Sequence, residues 1–415
     1  MVNFVIMITF LFLLSCRDNE IKAYGTKEPA LVNEQEHDET IDSLKNAIAL
    51  NPDDSGVYGN IGFTYYKKQD YDKAIEYYKK AIELNSDDSE VYGNIGYAYY
   101  YKQNYDKAIE YYEKAIELNP DFAKIYINMG VIYTNKQNYS KAIEYFKKAI
   151  ELKPDDADAY NNIGVTYADK QDYDKAIEYL RKAIELKPND AKIYRNIGAT
   201  YSDKQDYDKA IEYLRKAIEL EPDNAYAYSH IGVVYESKQN YNKAIEYLRK
   251  AIELKPDDAD LYKNMGNAYY YKHNDNKAME YYEKAIDLNP NFADVYRNMG
   301  IIYERKQNYD KAVEYYDRVT ELNYDYAIVG MSSTYFNIGS AYYEIKKYNK
   351  AIMCYEKAIA LEPNFSKAYS MIGTVYLNKQ YYDKAIEYYE KAIELSPDDV
   401  MIHNNIRLAK EKRDR

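Results

Sequence analysis

The sequence predicts an all-α fold of ten stacked helix pairs, and three observations carry that reading. Glycine recurs every 34 residues, at Gly62, Gly96, Gly130, Gly164, Gly198, Gly232, Gly266 and Gly300, then at Gly339 and Gly373 after a five-residue slip. Proline keeps the same interval from Pro120 to Pro290 and returns at Pro363 and Pro397. Between these marks apolar residues recur at helical spacing, in two runs per period. A fixed period of this length belongs to repeat architectures, in which each unit hides its apolar face on its neighbours. It also displaces the two or three globular domains that 415 residues would otherwise suggest.

With Ser55 as position 1, every repeat carries Tyr at position 4, Gly at 8, Tyr at 11 and Ala at 20. Position 7 is Ile or Met, and position 27 is Ala except at Val319. Positions 4, 7, 8 and 11 share one face of a first helix; 20, 24 and 27 share one face of a second. Small residues at 8, 20 and 27 let the two axes approach, while aromatic residues at 4, 11 and 24 fill the gaps beside them. Position 18, from Asp72 and Asp106 to Asn349 and Asp383, offers an N-cap side chain in every repeat. Proline at 32 ends the second helix, and Asp or Asn after it favours a turn.

Residues 37–54 read as a half-repeat consisting of a lone second helix, His37 to Leu50. Residues 55–326 hold eight repeats, 327–331 the slip, and 332–399 two more. Residues 400–415 continue the register but place His403, Arg407 and Lys410 where the repeats have Tyr, Gly and Tyr, as a solvating cap requires. The pattern resembles the tetratricopeptide repeat, a 34-residue helix–turn–helix unit. One departure is Tyr where that family often has Trp at position 4. The resemblance implies a right-handed α-solenoid, or superhelix, that binds peptide or protein segments along a concave groove.

The amino terminus carries a different signal. Phe4 to Ser15 is apolar apart from Thr9 and Ser15, and Cys16 follows. A helix over that run would be ~18 Å long, too short for a hydrocarbon core of ~30 Å. Leu13-Leu14-Ser15-Cys16 resembles the lipobox of bacterial lipoproteins, although no Lys or Arg precedes the apolar run. That resemblance implies a signal peptide over residues 1–15, cleavage before Cys16, and lipid attachment at Cys16. Residues 16–36 then serve as a polar tether. The expected location is the bacterial cell envelope, with the cytoplasm as the alternative if the leader is no signal.

Fifty-six tyrosines and no tryptophan make the composition unusual, and 44 of the tyrosines fall at positions 4, 11, 17, 23 and 24. A net charge of −12 disfavours nucleic acid, which needs a cationic face to displace counterions from phosphates. Nothing points to chemistry. The four histidines lack partners at metal-ligand spacing, so no metal is expected. The repeated glycines lie inside helices and form no phosphate loop, so no cofactor or small-molecule substrate is expected either. The repeats leave no room for a catalytic domain, and the chain reads as no enzyme. Cys354, where other repeats have Tyr at position 23, reads as a packed thiol.

Groove-lining residues are expected at positions 2, 5, 6, 9, 12 and 13 of the first helix, by the resemblance. Position 6 is Asn60, Asn94, Asn128, Asn162, Asn196, Asn264, Asn298 and Asn337 in eight of ten repeats. An amide both donates and accepts, so this series suits an extended backbone, and it resembles the asparagine ladder of O-linked N-acetylglucosamine transferase arrays. Two further patches offer interface anchors: Tyr66, Tyr97, Tyr100 and Tyr101, and Lys263, Asn267, Tyr270, Tyr271, Arg297 and Arg305. Lys263, Asn267 and Asn298 match part of the carboxylate clamp of chaperone-binding arrays. Ser333 and Asn337 stand where that clamp wants basic residues. The expected role is a lipid-anchored protein-interaction scaffold. The alternatives are a cytoplasmic adaptor or co-chaperone, and an accessory subunit of a glycosyltransferase system.

Overall fold

A computed structural model describes residues 34–322 and 331–415, and every regular element in them is an α-helix. They fall into two blocks, one ending at Val234 and the other beginning at Tyr235. The expected signal, Cys16 and most of the tether and slip lie outside the described residues.

The first block opens with α1 (Glu34–Leu50), the expected half-repeat helix, which starts three residues sooner than its sequence suggests. Five helix pairs follow: α2 (Ser55–Lys67) with α3 (Tyr71–Leu84), α4 (Ser89–Tyr101) with α5 (Tyr105–Leu118), α6 (Ala123–Asn135) with α7 (Tyr139–Leu152), α8 (Ala157–Asp169) with α9 (Tyr173–Leu186), and α10 (Ala191–Asp203) with α11 (Tyr207–Leu220). Helix α12 (Ala225–Ser237) contains the block boundary. The second block continues with α13 (Tyr241–Leu254), α14 (Ala259–Tyr271), α15 (Asp275–Leu288), α16 (Ala293–Arg305) and α17 (Tyr309–Glu321). After the slip come α18 (Met331–Glu344), α19 (Tyr348–Leu361), α20 (Ser366–Asn378), α21 (Tyr382–Leu395) and the capping helix α22 (Val400–Arg413). Helices α9 and α11 are identical in sequence, as are α5 and α21.

Position 8 is where the two helices of a repeat meet. A Cβ on Gly96 would stand 2.6 Å from the Tyr112 ring and 3.1 Å from the Ala108 carbonyl oxygen. Overpacking of that kind costs about 1–3 kcal/mol. Beneath it Ile95, Ala108, Tyr112 and Ala115 are fully buried. A second contact, between positions 11 and 23, accounts for much of the tyrosine. Tyr65 stacks on Tyr77 and Tyr99 on Tyr111, and Tyr133, Tyr167, Tyr201, Tyr235, Tyr269, Tyr303 and Tyr376 do the same, with ring centroids 5.4–5.6 Å apart. Such pairs add about 0.5–1.5 kcal/mol beyond area burial.

The turn between paired helices corrects one expectation. The residue at position 15 takes a left-handed conformation in every repeat, from Gln69 at φ 60° to Gln380 at φ 63°. The amide of Gln69 donates to the Tyr66 carbonyl and that of Asp70 to the Tyr65 carbonyl, which closes a Schellman turn. The second helix therefore starts one residue before position 18, and its N-cap is position 16. Asp70, Asn104, Asn138, Asp172, Asp206, Asn240, Asn274 and Asn308 each accept from the amide three residues on. Position 18 faces the next repeat instead. Lys136 pairs with Asp106 at 2.7 Å, Lys204 with Asp174 at 2.5 Å, and Lys102 with Asp72; Lys272 donates to Asn242 at 2.7 Å.

The two positions should therefore respond differently in thermal unfolding. Asn104→Ala removes a cap and should lower stability by about 1 kcal/mol at any ionic strength. Asp106→Ala removes an exposed ion pair and should cost no more than about 0.5 kcal/mol, an effect that vanishes in high salt.

Candidate functional site

Within each block consecutive first helices touch: α2 with α4, α6 with α8 and α8 with α10, and, beyond the boundary, α16 with α18, α18 with α20 and α20 with α22. That contact closes over much of the expected asparagine series. Asn128, Asn162, Asn196, Asn264 and Asn298 are buried. The Asn196 amide donates to Asn161 Oδ1 at 2.9 Å, and Asn298 donates to Tyr282 Oη at 3.1 Å and Asn267 Oδ1 at 3.3 Å. These side chains join neighbouring repeats and do not form an open ladder. Asn60 is exposed, and Asn94 and Asn337 are half-buried, so these three keep access to a ligand.

The partial clamp is closed in the same way. Tyr282 donates to Asn267 Oδ1 at 2.8 Å, which completes a buried triangle with Asn298. Lys263 lies 2.6 Å from Asp260 and over the Phe292 ring at 4.4 Å. Arg297 donates to Asn298 Oδ1 at 3.4 Å. Lys263, Asn267 and Asn298 thus each have a partner within the chain.

The aromatic patches are organised by a feature that the sequence reading passed over. Positions 12 and 17 of one repeat and 13 of the next form a three-residue node at the repeat junction. In the first repeat it is Tyr66, Tyr71 and Tyr101, with centroids 5.7, 6.0 and 5.5 Å apart. Tyr97 joins this pile, 5.2 Å from Tyr66 and 5.0 Å from Tyr101. Desolvation holds the Tyr66 and Tyr97 hydroxyls far above the usual phenol range. In the second repeat Tyr100 packs on Tyr105 at 5.7 Å and accepts from Asn135 at 3.3 Å. Asn378 and Tyr343 repeat that bond at 2.7 Å.

Two nodes carry charge of opposite completeness. At the seventh repeat Arg305 lies 2.9 Å from Asp275 and over the Tyr270 ring at 4.5 Å, so a carboxylate and a ring together hold a guanidinium. At the sixth repeat the same positions are Glu236, Tyr241 and Tyr271. Glu236 is buried at 8% exposure, and burial alone pushes its carboxyl up to about 8. Tyr241 and Tyr271 lie 6.4 Å apart, and both phenols are raised, first through desolvation and then through the Glu236 charge. The sequence signal was present: Glu236 is an acid at a position that is Tyr, Thr, Ala or Ser in the five preceding repeats.

Other residues are quiet. Cys354 is half-buried, and desolvation pushes its thiol up to about 11, which keeps it protonated and unreactive. Among the described residues no group of His, Cys, Asp or Glu is arranged to hold a metal, and no helix is long and apolar enough to cross a membrane.

The Glu236 node predicts a pH dependence. The fold binds a proton there between about 4.5 and 8 that the unfolded chain has released, so stability falls as pH rises through that window. The titratable groups facing it are Tyr241, Tyr271 and Tyr282, all protonated over that range. Glu236→Gln should leave stability unchanged at pH 4 and raise it by up to about 5 kcal/mol at pH 9, read as a difference in thermal midpoint.

Comparison with known proteins accords with this architecture. Models described as the tetratricopeptide repeat match residues 56–88, 291–362 and 366–399, and one described as the TPR repeat matches 266–307. The model of the Cilia and flagella-associated protein 70 C-terminal domain matches 85–262. No curated protein matches the sequence. Among solved structures, human IFIT1 with PPP-AAAA is 19% identical, over 94% of this chain and 100% of that one, at a TM-score of 0.51. Human IFIT1 with m7Gppp-AAAA gives 18%, the same two coverages and 0.51. Both likenesses are of fold. From the 34-residue period, the helix pairs and these family matches, the chain is a tetratricopeptide-repeat protein.

Proposed function

We propose that this chain is a non-catalytic scaffold, tethered to a bacterial envelope membrane through Cys16, that binds extended segments of other proteins along its first helices. The observation that carries the binding half is the contrast between framework and face. Positions 8, 11, 20 and 27 scarcely change from repeat to repeat, whereas positions 12 and 13 range over aromatic, aliphatic, hydroxyl, amide, acidic and basic side chains. Packing needs the first set, and recognition of a particular segment accounts for variety in the second. Tyr100 and Tyr101 are the strongest anchors: both keep part of their ring accessible, Tyr101 at 40%, and both are braced by neighbouring rings. Rigid aromatic anchors of this kind dominate interface energetics. Arg297 and Arg305 are committed to Asn298 and Asp275 and serve the face by shaping it.

The anchoring half rests on the Leu13–Cys16 motif. Replacing Cys16 by Ser should move the protein from the membrane to the soluble fraction; membrane association that survives the change excludes lipid attachment there. For the face, Tyr100→Ala with Tyr101→Ala should weaken capture of a co-purifying protein by tenfold or more, with helical content unchanged. Undiminished capture would place binding elsewhere on the array.

A further inference from the structure

We propose that the Glu236 node of the sixth repeat is a receptor for the guanidinium group of an arginine side chain carried by the bound segment. The inference deepens the segment-binding reading above and rests on it.

Positions 12, 17 and 13 of the following repeat converge wherever their rings or bonds can be followed, as at Tyr66, Tyr71 and Tyr101. At the seventh repeat this triangle holds a ring, a carboxylate and a guanidinium, Tyr270, Asp275 and Arg305, and its charge is balanced within the chain. At the sixth it holds a carboxylate and two rings, and no cation. Arg297 lowers the Tyr270 and Tyr271 phenols and donates to Asn298, whereas Glu236 is shifted by burial alone. The other acidic node is different, because Glu304 accepts from the Tyr316 hydroxyl at 3.0 Å.

Glu236 is therefore a buried acid, more than nine-tenths covered, with no ion pair or side-chain hydrogen bond to any described residue, and near enough to Tyr241 and Tyr271 for its charge to raise both phenols. Burying an acid without a partner is costly, and an incoming cation removes that cost. Guanidinium suits the place better than ammonium: it is planar, stacks on rings and gives up water more readily. The chain itself chose it one repeat later. Because burial keeps Glu236 largely protonated at neutral pH, with the phenols of Tyr241, Tyr271 and Tyr282 also neutral, binding expels a proton.

The probe is N-acetyl-arginine amide, titrated into the purified full chain by ligand-observed NMR and by calorimetry in two buffers of different ionisation heat. N-acetyl-citrulline amide, of nearly the same shape without the charge, should bind at least tenfold more weakly. Glu236→Gln should reduce binding of the arginine probe at least tenfold. Tyr271→Arg, which installs a cation where Arg305 stands one repeat on, should abolish it. At pH 7 the wild-type heat should depend on the buffer, as proton release requires. Equal binding of the citrulline probe, unchanged binding to Glu236→Gln, or no binding to a chain with intact helical content would overturn the proposal. Equal binding of N-acetyl-lysine amide would overturn the choice of guanidinium. The probe needs no protein partner, so its failure leaves capture through Tyr100 and Tyr101 standing, and failure of capture leaves the probe result standing.

Discussion

The approach of two helix axes at position 8 is the constraint on which the rest depends. Gly96 lies so near Tyr112 and the Ala108 carbonyl that no side chain fits between them, and its counterparts repeat the contact. Gly164 meets Leu180 and the Ala176 carbonyl, so the partner's shape varies between ring and branched chain while the closeness does not. Once the pair is drawn together there, the stacked tyrosines at positions 11 and 23 close the other side of the groove between the two helices. The Schellman turn at position 15 then fixes the angle at which the second helix leaves. Everything on the first-helix face inherits its spacing from that geometry.

The framework was readable because it is copied. A residue that recurs at a fixed interval reports a contact made once per repeat, and packing at Gly62, Ala74 and Tyr78 has the same logic as packing at Gly373, Ala385 and Tyr389. What was misread came from local competition between neighbours. Asp72 and Asp70 are both good capping residues, and only the turn geometry shows that Asp70 caps while Asp72 reaches Lys102. Most of the asparagine series is covered, for a longer-range reason. Whether an amide at position 6 faces solvent depends on how tightly successive first helices pack, and no single repeat encodes that. Asn60 stays open near one end of the first block, and Asn162 and Asn196 are covered further in.

The junction nodes sit between these extremes. Their members come from two repeats and from both helices of the first, so no window shorter than 36 residues contains one. Yet their chemistry is plain once they are assembled. Three rings make a wall at the first repeat; a balanced ion pair on a ring makes a strut at the seventh; an acid beside two rings makes a vacancy for charge at the sixth. Polar groups that a globular core would pair internally are here distributed along a line, and the chain spends stability at one of them.

The identity of α9 with α11, and of α5 with α21, has a consequence for assembly itself. Interchangeable helices cannot tell a neighbour from a copy 34 residues away, so the framework contacts leave the order of stacking degenerate. Only residues that differ between junctions distinguish the correct mate from its twin. The same nodes that give the face its variety therefore act as address labels for the growing chain, and erasing their differences should produce arrays that slip by whole repeats.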